Sequence, residues 1–171
     1  MEHIPSIELA MKNEKAEMEY YLGESSRSRN PVAKALFKTL AEDEQEHMTR
    51  LQVLHEKLTK DGSWPEKMPI EVKGTNIESV LENIKRDKES AQEHDMNDIE
   101  ALKKGIEFEA KGSRFYGDLA ADCDNPQEKE FFSVLSRIER QHMLSIQDSL
   151  AYLEDTDTWF AQKERSGLDG A

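Results

Sequence analysis

The sequence predicts an all-α protein, a four-helix bundle built from two helical hairpins that a long crossover joins. Helix-favouring Glu, Lys, Leu, Ala, Met and Gln dominate the 171 residues, whereas Pro and Gly number only 5 and 8. No stretch alternates polar and apolar residues in the way a half-buried strand does. Four long stretches instead repeat apolar residues at spacings of three, four and seven, which is the period of an amphipathic helix.

Size and charge set limits on the function. At 171 residues the chain suits one domain, residues 1–171, and its 35% of charged residues favours solvated helices with narrow apolar stripes. The net charge of -13 argues against binding to nucleic acid or to an anionic membrane and favours the approach of cations. Solubility explains most of this acidity.

Cys123 is the only cysteine, which excludes an intrachain disulfide, a Cys-x-x-Cys redox pair and an all-cysteine metal site. A single cysteine also favours a reducing compartment. Residues 1–6 lack the basic and apolar regions of a signal peptide, and no stretch approaches membrane-spanning length. We therefore expect a cytoplasmic protein.

The first hairpin is predicted over residues 6–60. Ser6 can cap a helix over about 7–27, whose apolar stripe is Ile7, Met11, Met18, Tyr21 and Leu22. Asn30 and Pro31 form a cap followed by proline at the first helical position, and a second helix then runs to about residue 60.

A long crossover follows over residues 61–96, because Gly62, Pro65, Pro69 and Gly74 prevent a continuous helix. A short extra helix is predicted over about 76–91, with Ile77, Val80, Leu81 and Ile84 on one side. Whether it ends there or continues stays open.

The second hairpin is predicted over residues 97–155. Its first helix covers about 97–122, and Asn125 and Pro126 then repeat the cap found at Asn30 and Pro31. The last long helix ends near residue 155. Trp159, Phe160 and Leu168 in the tail, residues 156–171, could pack back onto the bundle.

The two hairpins share an internal repeat, in which equivalent residues differ by 95 in number. Glu44-x-x-His47 recurs as Glu139-x-x-His142, and Glu14 recurs as Glu109. Residues three apart project from one face of a helix, so each Glu and His pair can reach the same metal ion. Further matched pairs are Tyr21 and Tyr116, Asn30 and Asn125, Pro31 and Pro126, Phe37 and Phe132, and Leu40 and Leu135.

The four repeated glutamates lie within apolar stripes. Any one of them could be a surface residue, but four unpaired carboxylates in one core would cost more free energy than a typical domain has. No Lys or Arg lies on these stripes, whereas two divalent cations would balance four negative charges. Oxygen ligands with one imidazole per metal favour iron or manganese over zinc. The predicted ligands are Glu14, Glu44, His47, Glu109, Glu139 and His142.

Three further residues have two interpretations each. Tyr21 and Tyr116 are core aromatics or donors to a ligand carboxylate of the other half, since each lies two turns beyond a repeated Glu. Glu17 lies three residues after Glu14 on the same face, whereas the matched position is Gly112. It is either a solvated residue or an additional ligand that makes the centre asymmetric.

With these motifs in place, residues 7–155 resemble a rubrerythrin-type member of the ferritin-like superfamily. The resemblance implies two iron ions per chain, or manganese or a mixed pair, bridged by Glu44 and Glu139 or by Glu14 and Glu109, with His47 and His142 as terminal ligands. Two features differ from rubrerythrins proper. The chain lacks the Cys-x-x-Cys knuckles of a rubredoxin domain, and it has Gly112 where an extra Glu is common. It is more similar to members that consist of the di-iron domain alone.

The resemblance implies an oxidoreductase that reduces hydrogen peroxide or dioxygen and protects against oxidative stress, with electrons from a separate protein such as a rubredoxin. The alternatives are a ferroxidase or iron-handling protein and a bundle with a purely structural metal. The length of the crossover also predicts a homodimer, either simple or domain-swapped.

Overall fold

The computed structural model describes residues 3–64, 72–87 and 96–168. Within these ranges it contains six helices and no strand, which confirms the all-α class. The helices are α1 (Ile4–Arg27), α2 (Pro31–Asp61), α3 (Ile77–Lys85), α4 (Met96–Asp122), α5 (Pro126–Glu154) and α6 (Thr156–Leu168). Helix α1 packs along α2 and α4 along α5, so the two hairpins form the bundle.

Equivalent Asn-Pro caps open the second helix of each hairpin. The Asn30 side chain accepts a hydrogen bond from the backbone N–H of Ala33 at 3.0 Å, and Pro31 occupies the first turn. Asn125 accepts from the backbone N–H groups of Gln127 and Glu128. Both caps were predicted from the sequence, and both are confirmed.

The start of α1 differs from the prediction. The helix begins at Ile4 and its cap position is His3, so the prediction that Ser6 caps it was wrong. Pro5 explains the earlier start, because the fixed φ of proline suits the first turn of a helix. The prediction that Leu22 is a core residue was also wrong, since its side chain is 49% exposed. It lies one position after the buried Tyr21 and therefore on another face of the helix.

Helix α3 is shorter than predicted, since it ends at Lys85, and Arg86 and Asp87 are not helical. Its apolar side is buried as expected at Ile77 and Leu81. The predictions for residues 65–71 of the crossover and for 88–95 lie outside the described residues.

The tail forms a helix, α6, that the sequence analysis did not predict. Trp159 donates a hydrogen bond through Nε1 to Asp148 at 3.0 Å, and its ring meets that of Tyr152 edge to face. Trp159 and Phe160 therefore pack onto the bundle, as expected. The side chain of Leu168 lies outside the described set.

The apolar core is divided into two clusters. One contains Tyr21, Phe37 and Leu40, and the other contains Tyr116, Phe132 and Leu135, which are the repeat equivalents of these three residues. The two apolar clusters thus follow the internal repeat. None of the helices in the described part of the chain has the length and apolar content that a membrane span requires.

Candidate metal centre

All six predicted ligands converge in the bundle interior. Each long helix contributes at least one, because the sequence places them in line with the buried apolar stripe. None is more than 2% exposed. Helix α1 carries Glu14, α2 carries Glu44 and His47, α4 carries Glu109, and α5 carries Glu139 and His142.

The six side chains form two overlapping groups. Glu14, Glu44, His47 and Glu139 form one, and Glu44, Glu109, Glu139 and His142 form the other. In each group, one ligand atom from every residue lies within 4.8 Å of all the others. Glu44 and Glu139 belong to both groups, so this geometry favours them over Glu14 and Glu109 as the bridging carboxylates.

The two histidines point the same ring nitrogen toward the carboxylates. Nδ1 of His47 lies 3.3 Å from Glu14, 3.1 Å from Glu44 and 3.1 Å from Glu139. One ring nitrogen carries at most one proton, so it cannot donate well to three acceptors. Oε2 of the fully buried Glu139 has no hydrogen-bond donor among the described residues. This donor set fits a cation, which would face all of these atoms at once.

His142 has an equivalent environment. Its Nδ1 lies 3.3 Å from Glu44 Oε1 and 3.3 Å from Glu109 Oε2. The rings of His47 and His142 are stacked, with centroids 5.9 Å apart. Each half of the site therefore offers one imidazole nitrogen, as expected for one terminal His per metal.

The two tyrosines connect the halves. Tyr21 donates a hydrogen bond to Glu109 Oε1 at 2.6 Å, and Tyr116 donates to Glu14 Oε1. Each hydroxyl thus contacts the carboxylate of the opposite half, which is the second of the two interpretations drawn from the sequence. These bonds fix the orientation of Glu14 and Glu109.

Sequence reasoning missed one residue of the site. Oδ2 of Asp43 lies 2.9 Å from Nε2 of His142, and it also accepts a hydrogen bond from Thr75 at 2.5 Å. The repeat gave no signal for it, because the position equivalent to Asp43 is Ile138. The one sequence feature that pointed to Asp43 was its position directly before Glu44.

Proton binding neutralises this site when no cation is bound. Burial and the neighbouring carboxylates raise the pKa of Glu44 to about 8 and that of Glu139 well above its usual range. Burial alone would lower the pKa of His47 and His142, but the carboxylates outweigh it and raise both well above 6.5. Glu14 is the exception, because despite its burial, hydrogen bonds with Glu44 and His47 lower its pKa to about 2. A metal would displace several protons.

Comparison with known families agrees with this geometry. The rubrerythrin family profile matches residues 6–99, which is more than half of the chain. The chain belongs to the rubrerythrin family. No curated protein and no solved structure gave a match. The matched range contains Glu14, Glu44 and His47, whereas the other three residues follow from the internal repeat and the geometry.

A pocket beside the centre of this rubrerythrin-family protein lies between α1 and α4. Its volume is about 470 Å³, and it is lined by Glu14, Glu17, Gly112 and Tyr116, among others. Glu17 is half-buried. Burial and the carboxylates of Glu44, Glu109 and Glu14 raise its pKa to about 10. Glu17 therefore lies beside Glu14 in this pocket, but it belongs to neither of the two ligand groups, so its interpretation as an additional ligand stays a prediction.

Gly112, where rubrerythrins commonly carry an extra Glu, lies against Glu139. A Cβ atom at position 112 would come within 2.7 Å of Oε2 of Glu139. Such a contact is far inside the van der Waals limit, so any side chain here would displace the carboxylate. The absence of a side chain at Gly112 thus leaves the space in which Glu139 reaches both ligand groups.

Proposed function

We propose that this protein is a non-haem di-iron oxidoreductase that reduces hydrogen peroxide or dioxygen and thereby protects against oxidative stress. One observation carries the proposal: two groups of buried ligand atoms share Glu44 and Glu139. Two cations held in this way would lie side by side under a pocket that reaches the surface. When bound, such a pair can take both oxygens of a peroxide and supply one electron each.

The protein's own residues have separate tasks in this reaction. Glu44 and Glu139 would hold both cations, and Glu14 and Glu109 would each hold one. Tyr21 and Tyr116 keep the latter two carboxylates in place through hydrogen bonds. The pocket between α1 and α4 admits a small oxidant, while the surrounding core excludes bulk water.

The electrons come from a separate donor protein, such as a rubredoxin, since one cysteine excludes a four-cysteine donor site within these 171 residues. We further propose a homodimer located in the cytoplasm. Light scattering at micromolar concentration tests the dimer, and a monomeric mass would contradict it.

Anaerobic reconstitution with ferrous iron, followed by stopped-flow mixing with peroxide or dioxygen, tests the function. We expect two iron ions per chain and rapid oxidation of the ferrous protein. Glu44→Ala and Glu139→Ala should each lose at least one iron. Purification from iron-replete cells with one tightly bound zinc ion and no iron or manganese would contradict the proposal.

A ferroxidase or iron-handling protein is the second candidate, and Glu17 supports it. A carboxyl group in the pocket beside Glu14 can bind an Fe²⁺ ion on its way to the centre in exchange for its proton. Iron loading far beyond two ions per chain, without repeated peroxide turnover, would favour this candidate. Loss of folding on metal removal, without any redox activity, would instead indicate a structural metal.

A further inference from the structure

A second cluster of metal-binding side chain types lies at one end of the bundle. It consists of His3 before α1, Cys123 in the connection between α4 and α5, and Glu128 in the first turn of α5. One potential ligand atom from each lies within 4.8 Å of the other two. Cys123 and Glu128 are buried and His3 is half-buried, so a cation could enter from solvent.

This cluster is separate from the dinuclear centre. Glu128 and Glu139 lie on the same helix, eleven residues apart. At a rise of 1.5 Å per residue, this sequence separation corresponds to about 16 Å along the helix axis. The two sites therefore share no ligand.

The spacing between the His3 and Glu128 atoms suits metal ligands better than a direct hydrogen bond, whereas the Cys123 thiol donates a hydrogen bond to the carbonyl oxygen of Leu119 at 2.9 Å. Nε2 of His3 lies 3.6 Å from Oε1 of Glu128, which exceeds the length of a hydrogen bond. Two ligands of a tetrahedral zinc ion, each about 2.1 Å from the metal, lie about 3.4 Å apart. The observed separation is close to this value.

The internal repeat has different residues at the equivalent positions of the opposite end of the bundle. Asp98 is the equivalent of His3, and it is neutralised by Arg27 at 2.9 Å. The equivalent of Arg27 in the second half is the acidic Asp122. At the other end, the half-buried His3 lies 3.6 Å from Glu128. One end thus has an arginine as internal cation, whereas the other has the imidazole of His3 and the thiol of Cys123.

We propose that His3, Cys123 and Glu128 bind one thiophilic divalent cation of the zinc class. Metal binding releases the proton of the Cys123 thiol to solvent, so that a thiolate and a carboxylate supply two negative charges, which such a cation balances. Imidazole completes the set as a neutral ligand. Three protein ligands leave one coordination position for water. The bound cation links the beginning of α1 to the connection between α4 and α5.

Titration of the full-length protein with Co²⁺ tests this site. A cobalt–thiolate bond gives a charge-transfer band in the near ultraviolet, whereas the six ligands of the dinuclear centre contain no sulfur. Because Cys123 is the only cysteine, such a band reports this site alone. We expect the band to saturate at one cobalt ion per chain and to disappear on addition of excess Zn²⁺.

Three variants and a control complete the experiment. Cys123→Ser should abolish the band, and His3→Ala and Glu128→Gln should each weaken cobalt binding at this site by at least about tenfold. His55→Ala is the matched control, because His55 on α2 forms an ordinary 2.9 Å pair with Glu8 on α1. Absence of the band in the wild-type protein would overturn the proposal. So would a band that is equally strong in His3→Ala and Glu128→Gln, because the thiol alone would then bind the cobalt.

Discussion

The Asp43 carboxylate on α2 lies 2.9 Å from Nε2 of His142 on α5. Because Nδ1 of His142 faces Glu44 and Glu109, this contact holds the proton on Nε2 and leaves Nδ1 available to a cation. Nε2 of His47 has no hydrogen-bond partner within the described ranges. The two halves of the centre therefore differ in how their histidines are oriented.

This difference predicts that Asp43→Ala affects the two cations unequally. One cation should bind about 10- to 100-fold more weakly, since loss of a group that orients a ligand has effects of this size. Calorimetric titration with Fe²⁺ or Mn²⁺ under anaerobic conditions measures both affinities. Glu42→Ala, at the exposed neighbouring position, is the control. An equal loss of affinity for both cations would contradict the inference that Asp43 acts through His142.

The raised pKa values predict a pH dependence of stability. Burial, Glu14 and Glu109 raise the pKa of Glu44 from 4.5 to about 8. The stability that this shift contributes to the metal-free protein is fully present below pH 4.5 and is lost as the pH rises through 8. The ionisation of Glu14, whose pKa is lowered from 4.5 to about 2, affects stability only at a pH below about 4.5. Metal binding displaces the protons, so its affinity should increase with pH.

Scanning calorimetry between pH 5 and 8 measures this dependence. We expect the Tm of the metal-free protein to fall over this range and the increase in Tm on metal binding to grow. Glu44→Gln, which cannot ionise, should make the metal-free profile less steep, and the raised pKa values of Glu139, His47 and His142 account for the remaining slope. A metal-free Tm that rises over the same range would contradict the raised pKa values of this cluster.

The sequence predicted the six converging residues because they lie in the same register as the buried apolar residues. Leu40, Glu44, His47 and Leu51 lie in one stripe of α2, so the helical period alone places them inward. The choice of bridging pair was not predictable, because it depends on distances between hairpins. Asp43 was missed for the same reason, since its partner is 99 residues away. Helix α6 was missed because its apolar stripe is limited to Trp159 and Phe160.

Glu17 provides a test of asymmetry around the pocket. Glu17→Gln should leave two metals bound and slow oxidation of the ferrous protein by peroxide at least about tenfold, or roughly 1.4 kcal/mol of barrier. The reason is that a carboxylate at this position can bind a metal in one oxidation state and release it in another, since ferric iron favours anionic oxygen. Stopped-flow absorbance measures the rate.

The control for this variant is Glu19→Gln, on the same helix but exposed. It should oxidise at the wild-type rate. If Glu17→Gln also retains the wild-type rate with its metal content intact, Glu17 is a pocket residue without a part in the reaction.

Gly112→Ala tests whether the space beside Glu139 is required. Alanine stabilises a helix by up to about 1 kcal/mol relative to glycine, which offsets the cost of moving the end of the Glu139 side chain, so the metal-free variant should be about as stable as the wild type. The new Cβ would nevertheless lie 2.7 Å from Oε2 of Glu139 and would push the shared carboxylate aside. We therefore expect metal affinity to fall by at least about tenfold while the metal-free Tm is retained.

Gly117→Ala is the matched control on α4, because a Cβ there meets only Ser136 Oγ at 3.4 Å, an ordinary contact. It should have the same effect on helix stability and none on metal binding. Glu139→Asp shortens the side chain by one methylene, so the Gly112→Ala and Glu139→Asp double variant should bind metal better than the sum of the single effects predicts. If Gly112→Ala binds two metals with wild-type affinity, the carboxylate of Glu139 has room to move without loss of its contacts, and Gly112 does not determine its position.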